Sequence, residues 1–257
     1  MPTPEQRART LERFRQHRQA WDDNFALRTL YAEWYRRIGV ALPPPELGRQ
    51  IELGSGPGFA RGFIPSLELT DVVAAPWHDH ELTAEEIPAA DGSVGALVLF
   101  DVLHHLPSPR RFFAEATRVL RPSGRIVLCE PLISPLSYPV YKLLHEEPVD
   151  MSVDPLALDA SDGERAHKDP FDSNQAIPTV LFGRHRTAFE RAFPLLRIVS
   201  VAHLAGPSYV ASGGFSRGAL LPVAIWRALH GFERRLPEWI FRCIGFRLLV
   251  VLERRFS

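Results

Sequence analysis

Lysine is nearly absent, with only Lys142 and Lys168 among thirty basic side chains, and cysteine is equally rare. The arginine bias reads as codon composition and carries no functional weight. Two cysteines, Cys129 and Cys243, cannot build a disulfide framework, and Cys129 sits in an apolar run, so a reducing compartment is the simpler expectation. Charge of one sign is lacking as well, because thirty acidic residues balance the thirty basic ones. Without a global positive field, a dedicated nucleic-acid binder is excluded. No run of about 18 uninterrupted apolar residues occurs, and the opening MPTPEQRARTLERFRQHRQAW lacks the apolar centre of a secretory signal. These absences lead to the expectation of a soluble, cytoplasmic protein.

What is present suffices for a full core. The 257 residues are 46% apolar and 23% charged, enough for one large domain or two small ones. Residues 1–40 are polar and helical in pattern, with Leu11, Phe14, Trp21, Phe25, Leu27, Tyr31, Trp34 and Tyr35 as an intermittent apolar stripe, expected to form a helical layer packed on the main body. Pro43, Pro44 and Pro45 break that pattern. Short apolar runs at 51–53, 67–74, 96–100 and 125–129 then alternate with helical stretches, the pattern of a parallel sheet covered on both faces. The clearest helix is capped by Ser108, opens with Pro109, aligns Phe112, Phe113, Ala116, Val119 and Leu120, and stops at Pro122 and Gly124. Residues 131–185 are rich in Pro, Asp, Ser and His and are expected to form an irregular cap over a site. Two further strands are predicted at 195–203 and 244–252, with a helix over 220–240 between them.

The sharpest feature is Glu52-Leu53-Gly54-Ser55-Gly56-Pro57-Gly58, where the first strand should end. Open parallel sheets bind ligands at that edge, and glycines let ligand atoms approach the backbone with no Cβ in the way. The dinucleotide pattern G-x-G-x-x-G fails from Gly54, which reaches Phe59, and from Gly56, which reaches Arg61. A phosphate loop of the Walker type fails too, because no Gly-Lys-Ser/Thr follows.

The spacing resembles the first motif of class I S-adenosylmethionine-dependent methyltransferases, of the small-molecule, type 11-like kind. Three further pieces agree in order: Asp71 at the second strand's end, Asp101-Val102-Leu103-His104-His105-Leu106-Pro107 at the fourth, and Arg118-Val119-Leu120-Arg121-Pro122-Ser123-Gly124 turning into the fifth. The resemblance covers about a third of the chain, residues 50–131. It implies an α/β, doubly wound Rossmann-like sheet, mostly parallel with an antiparallel last strand. The implied organisation is an N-terminal helical layer (1–45) and a methyltransferase domain (46–257) that contains the 131–185 cap. S-adenosylmethionine is the implied cofactor, with Glu52, Gly54, Ser55, Gly56, Gly58, Asp71, Thr83, Ala84 and Asp101 as its contacts. Thr83 stands where the family commonly has an aspartate, and Ser123 where it commonly has a glycine.

Methyl transfer from a sulfonium is an in-line displacement that orientation and desolvation can drive, so no protein nucleophile is required. For a hydroxyl acceptor a base helps, and His105, with His104 beside it, is the expected one. Tyr138, Tyr141, His145 and Glu146, followed by Glu147, are expected to meet a small-molecule acceptor. His78 and His80 around Asp79 lack a third ligand, so no metal is expected. The 220–242 segment interleaves Trp226, Phe232, Trp239 and Phe241 with arginines; a helix packed on the sheet or at a homodimer contact is the expected reading, and lying on a membrane surface or receiving a lipid-like acceptor is the other. Two alternatives remain open: a nicotinamide-dependent oxidoreductase or epimerase, and a catalytically silent binding subunit of the same fold. Hydrogen bonds to a charged group contribute roughly 1.5–3 kcal/mol each, so Asp71→Ala is expected to weaken S-adenosylmethionine binding by about one to two decades, measured by calorimetry.

Overall fold

The computed structural model describes residues 2–145, 147–157 and 173–256. The sheet strands are β1 (Arg49–Leu53), β2 (Leu67–Asp71), β3 (His80–Glu81), β4 (Val94–Phe100), β5 (Leu120–Pro131), β6 (Leu196–Leu204) and β7 (Arg247–Arg254). They lie in the order β3-β2-β1-β4-β5-β7-β6. Pairing is parallel from β3 through β5, and β7 runs antiparallel to both β5 and β6. The strand order switches sides between β1 and β4, so the end of β1 opens onto a crevice at the carboxyl edge of the sheet.

Every residue of β4 is buried, as a central parallel strand requires. Successive side chains go to opposite faces. Leu97 and Leu99 join Ile51, Leu53, Ile126, Leu128, Val250 and Leu252 on one face, while Val98 and Phe100 join Leu69, Val127, Cys129, Leu249 and Val251 on the other. The first face is covered by α3 (Pro109–Val119) and by the helices Ile177–Phe182 and Arg186–Ala192. The second is covered by α2 (Phe25–Ala41), which buries Leu27, Leu30, Trp34 and Ile38. Asn24 separates α2 from α1 (Pro4–Asp23): its Oδ1 caps Leu27 N at 3.1 Å, and its Nδ2 donates to Ser212 O at 2.7 Å. The N-terminal layer is therefore part of the main core.

Several expected boundaries change. The second strand stops at Asp71 instead of running to residue 74, because the Asp71 carboxylate takes the Val73 amide and turns the chain. A two-residue edge strand, β3, was not anticipated from so short a run. The 131–185 region is not uniformly irregular: α4 (Ser137–Leu144) lies in it, and Ile177–Phe182 inserts Ile177, Leu181 and Phe182 into the core. The helix expected over 220–240 spans only Val223–Glu233, because Pro222 precedes its first turn and the residues up to Pro237 turn away before a short 3-10 segment, Glu238–Ile240. Ser123, in place of a glycine, holds a left-handed φ of 63° in the turn ahead of the main run of β5. The connection from the glycine loop to β2 contains only the 3-10 turn Phe59–Gly62, the abbreviated first helix that the sequence implied.

Phe113 lies under α3 within 6.4 Å, ring to ring, of Phe112, Phe182, Phe189 and Phe193. Phe113→Ala is expected to lower unfolding free energy by about 3–5 kcal/mol in denaturant melts, from lost burial and the cavity left behind.

Candidate functional site

The loop leaving β1 takes left-handed backbone at each of its three glycines, with φ of 67° at Gly54, 49° at Gly56 and 78° at Gly58. A Cβ on Gly54 would come within 2.5 Å of Val102 Cγ2, and one on Gly58 within 2.5 Å of Trp77 Cδ1. The loop is tied to β2. Gly56 N donates to Asp71 Oδ2 at 2.9 Å, Ser55 N donates to Thr70 O at 2.8 Å, and Thr70 N donates to Ser55 Oγ at 3.0 Å. Asp71 is thus a buried carboxylate that shapes the loop, and Ser55 is a latch between the two strands. Asp71→Ala would also free the Gly56 and Val73 amides.

Glu52, the acidic residue before the loop, is 1% exposed, and its Oε2 is buried with no hydrogen-bond partner. Burial pushes its carboxyl up to about 8, outweighing hydrogen bonds from Ser55 and Tyr35, with the negative Asp71 adding to the rise. Thr83 Oγ1 accepts from Glu85 N at 3.4 Å in a local turn, and Ala84 is buried beside it.

Helix α1 lies across this loop. Arg7 pairs with Glu81 on β3, Arg18 Nη1 donates to Pro57 O at 2.8 Å, and Trp21 stacks on Phe59 at 4.1 Å. Phe14 comes within 3.5 Å of the position a Gly56 Cβ would take. The Gly56 carbonyl accepts from Trp77 Nε1 and His78 Nε2, both at 2.8 Å. His17, stacked on Phe215 at 4.4 Å, is pulled down to about 4 by burial and then by Arg13, so it is neutral.

A second cluster forms where β4 and β5 end. Glu130, fully buried, accepts Val102 N at 2.9 Å and Leu103 N at 2.8 Å on Oε1, and His104 Nδ1 at 2.7 Å on Oε2. His104 Nε2 lies 3.5 Å from Glu147 Oε2, and His105 Nε2 lies 3.9 Å from Glu147 Oε1. Burial works against the charged form of His104, yet Glu130 and Glu147 together overcome it and push the imidazole up to about 10. Asp101, at φ 56°, pairs with Arg247 at the start of β7. The Arg247 guanidinium sits over the rings of Trp34, Tyr209 and Phe100, at 5.1, 5.1 and 5.5 Å.

The structure therefore brings His104, His105 and Asp101 together with Glu147, which the sequence had placed beside the expected acceptor contacts, and adds two residues not singled out as site groups from the sequence: Glu130 and Arg247. Glu130 carried a readable signal, a carboxylate at the end of the apolar run Ile126-Val127-Leu128-Cys129. The residues expected to meet an acceptor are placed as follows. Tyr138 is at the surface beside Lys142, Tyr141 is buried with its hydroxyl donating to Phe246 O at 2.9 Å, and His145 is exposed. Glu146 lies outside the described residues. His78 faces the loop carbonyl while His80 lies 3.8 Å from Glu68, so the two share no common centre.

Residues 66–128 match a family model described as a methyltransferase domain. Over 97 residues the chain is 34% identical to an uncharacterized 37.1 kDa protein in transposon TN4556 of Streptomyces fradiae, covering 35% of this chain and 28% of that protein. Over 117 residues it is 29% identical to a probable S-adenosylmethionine-dependent methyltransferase of Mycobacterium tuberculosis, covering 38% of this chain and 42% of that one. The chain thus spans less than half the length of these curated relatives. Across its whole length it superimposes on a chain from the solved complex between the Haloferax volcanii Trm112 methyltransferase activator and a methyltransferase, with a TM-score of 0.53 and 15% identity over 100% of both chains. That likeness is one of fold. The matched segment is similar to a methyltransferase domain, and the resemblance to class I S-adenosylmethionine-dependent methyltransferases read from the motifs is borne out as a resemblance.

An unfolded glutamate ionises near 4.5, and Glu52 in the fold near 8. Between those values the folded state holds a proton that the unfolded chain has released. The residue therefore destabilises the fold increasingly as pH rises from about 4.5 to about 8. Glu52→Gln cannot ionise, so its melting temperature relative to the parent is expected to climb by several degrees between those two pH values; a constant difference would contradict the assignment.

Proposed function

We propose that the protein transfers a methyl group from S-adenosylmethionine to an oxygen atom of a small molecule. The observation that carries this reading is the left-handed glycine loop at the end of β1, stitched to a strand-ending carboxylate at the switch point of a sheet in this order. The donor set fits the cofactor. Gly54, Gly56 and Gly58 add no side chain of their own to a floor that Val102, Phe14 and Trp77 approach, and the unpartnered Glu52 oxygen is an acceptor suited to an ammonium. Asp71 has lone pairs left for ribose hydroxyls after its two backbone bonds. Thr83 and Ala84 border the adenine edge. When bound, the cofactor supplies an electrophilic methyl on a sulfonium.

The remaining work falls to the strand-end cluster. Val102 touches the face of Gly54, which puts the histidines that follow it next to the loop. His105 takes the proton of an acceptor hydroxyl, with Glu147 stabilising the imidazolium, while the buried His104–Glu130 pair holds the segment in place. Asp101, held by Arg247, orients the methionine end of the cofactor. The exposed Leu220, Val223, Ile225, Phe232 and Trp239, set among arginines, support an apolar or lipid-like acceptor, with peripheral membrane contact or pairing with a second copy as the accompanying reading. Among the described residues no helix is long and apolar enough to cross a membrane.

A ligand that binds only the folded chain stabilises it by about 2.7 kcal/mol at one hundred times its dissociation constant. S-adenosylhomocysteine at that level is expected to raise the melting temperature by about 5–10 °C, while a nicotinamide dinucleotide leaves it unchanged. A shift with the dinucleotide alone would overturn the proposal. Extract fractions assayed with a labelled methyl donor then identify the acceptor.

A further inference from the structure

We propose that His104, His105 and Glu147 form a binding site for one divalent first-row transition-metal ion, of the manganese, iron, cobalt or zinc kind. The ligand atoms His104 Nε2, His105 Nε2 and the Glu147 carboxylate all lie within 4.8 Å of one another. Their spacing is the first argument. Charge-assisted N–H···O contacts close to about 2.7–2.9 Å, whereas the Glu147 oxygens stand 3.5 and 3.9 Å from the two imidazoles. Donors bound to one ion at about 2.0–2.2 Å, with angles near or above a right angle, stand about 3–4 Å apart. The gaps from Glu147 to the two imidazoles fall in that range.

The second argument is the support behind the ligands. His104 turns its Nδ1–H to Glu130 Oε2 at 2.7 Å, and Glu130 is itself fixed by the Val102 and Leu103 amides. With Nδ1 committed to Glu130, Nε2 is the ring atom left to take an ion in exchange for its proton, and a carboxylate behind a histidine raises its basicity toward an ion. Glu147 is positioned from the other side by the Gln175 side-chain amide. Gln175 is 3% exposed, and its own carbonyl oxygen is buried with no hydrogen-bond partner. The backbone reinforces the layout, since Asn174 N donates to His104 O and Gln175 N to Pro148 O, both at 3.1 Å. The two imidazole rings lie 4.2 Å apart at 41°. Two imidazoles and one carboxylate select a borderline transition metal over magnesium or calcium, which prefer all-oxygen shells, and three protein ligands leave coordination positions open.

The role of the ion rests on the methyl-transfer reading: a hydroxyl acceptor coordinated there would lose its proton to solvent through the ion, and His105 would be a ligand in place of a base. Binding of the ion does not depend on that reading. The test is a titration of the full chain, first stripped with a chelator, with cobalt(II) chloride, followed by visible absorption, alongside calorimetry with S-adenosylhomocysteine. One equivalent of cobalt is expected to bind with d–d bands of reduced symmetry. Glu130→Gln is expected to lower its affinity about 10–100-fold, and His105→Ala and Glu147→Gln to lower it further. His80→Ala, at the exposed histidine of β3, is expected to leave it unchanged. Absence of cobalt binding, or equal affinity in the His105 and Glu147 variants and the parent, overturns the metal site. If S-adenosylhomocysteine still binds in that case, the methyl-transfer reading survives with His105 as its base; if cobalt binds and the nucleoside does not, the reverse holds.

Discussion

The hydrogen bond from the Gly56 amide to Asp71 is the constraint on which the rest of the crevice depends. It joins the loop after β1 to the end of β2, and the Ser55–Thr70 exchange beside it closes the same seam. A carboxylate 6% exposed is tolerable there because two backbone donors meet it. Held this way, the loop must pass through left-handed backbone three times in five residues, which only glycine does without strain. The bare floor, the position of Val102 against it and the approach of Trp77 all follow from that path.

Local chemistry was legible in the sequence, and long-range assembly was not. The apolar runs that became β1, β4 and β5, the Ser108 cap and the glycine loop depend on neighbours along the chain, so period and punctuation revealed them. The pairing of His104 with Glu147 spans a gap of more than forty residues, and Arg247 reaches Asp101 from the far end of the chain; no periodicity encodes either. Tyr138 and Tyr141 were placed just after β5 by the sequence, but which way each side chain turns was not legible: α4 turns one to solvent and the other to a backbone carbonyl. The 220–240 stretch reads as one apolar helix by composition, yet Pro237 and the residues before it end the helical path early.

Charge in this protein is concentrated at one edge of the sheet. Glu52, Asp71, Asp101, His104, Glu130, Glu147 and Arg247 gather at the carboxyl ends of β1, β2, β4 and β5 and the start of β7, several of them fully buried. Each one is expensive to desolvate unless paired. Backbone amides meet Glu130 and Asp71, Asp101 and aromatic faces hold Arg247 although its Nε has no hydrogen-bond partner, and Glu52 keeps one carboxylate oxygen without a partner. Stability given up at that one position is the pattern of a group held for a visitor.

The N-terminal helix carries a kinetic consequence. Phe14 rests against the open face of Gly56, Trp77 against that of Gly58, and α1 is pinned at both ends by Arg7 and Arg18. A ligand that settles on Gly56 must displace Phe14, which moves with α1, and one that settles on Gly58 must displace Trp77, which belongs to the turn after β2, so capture would wait on two separate segments and would saturate with ligand concentration.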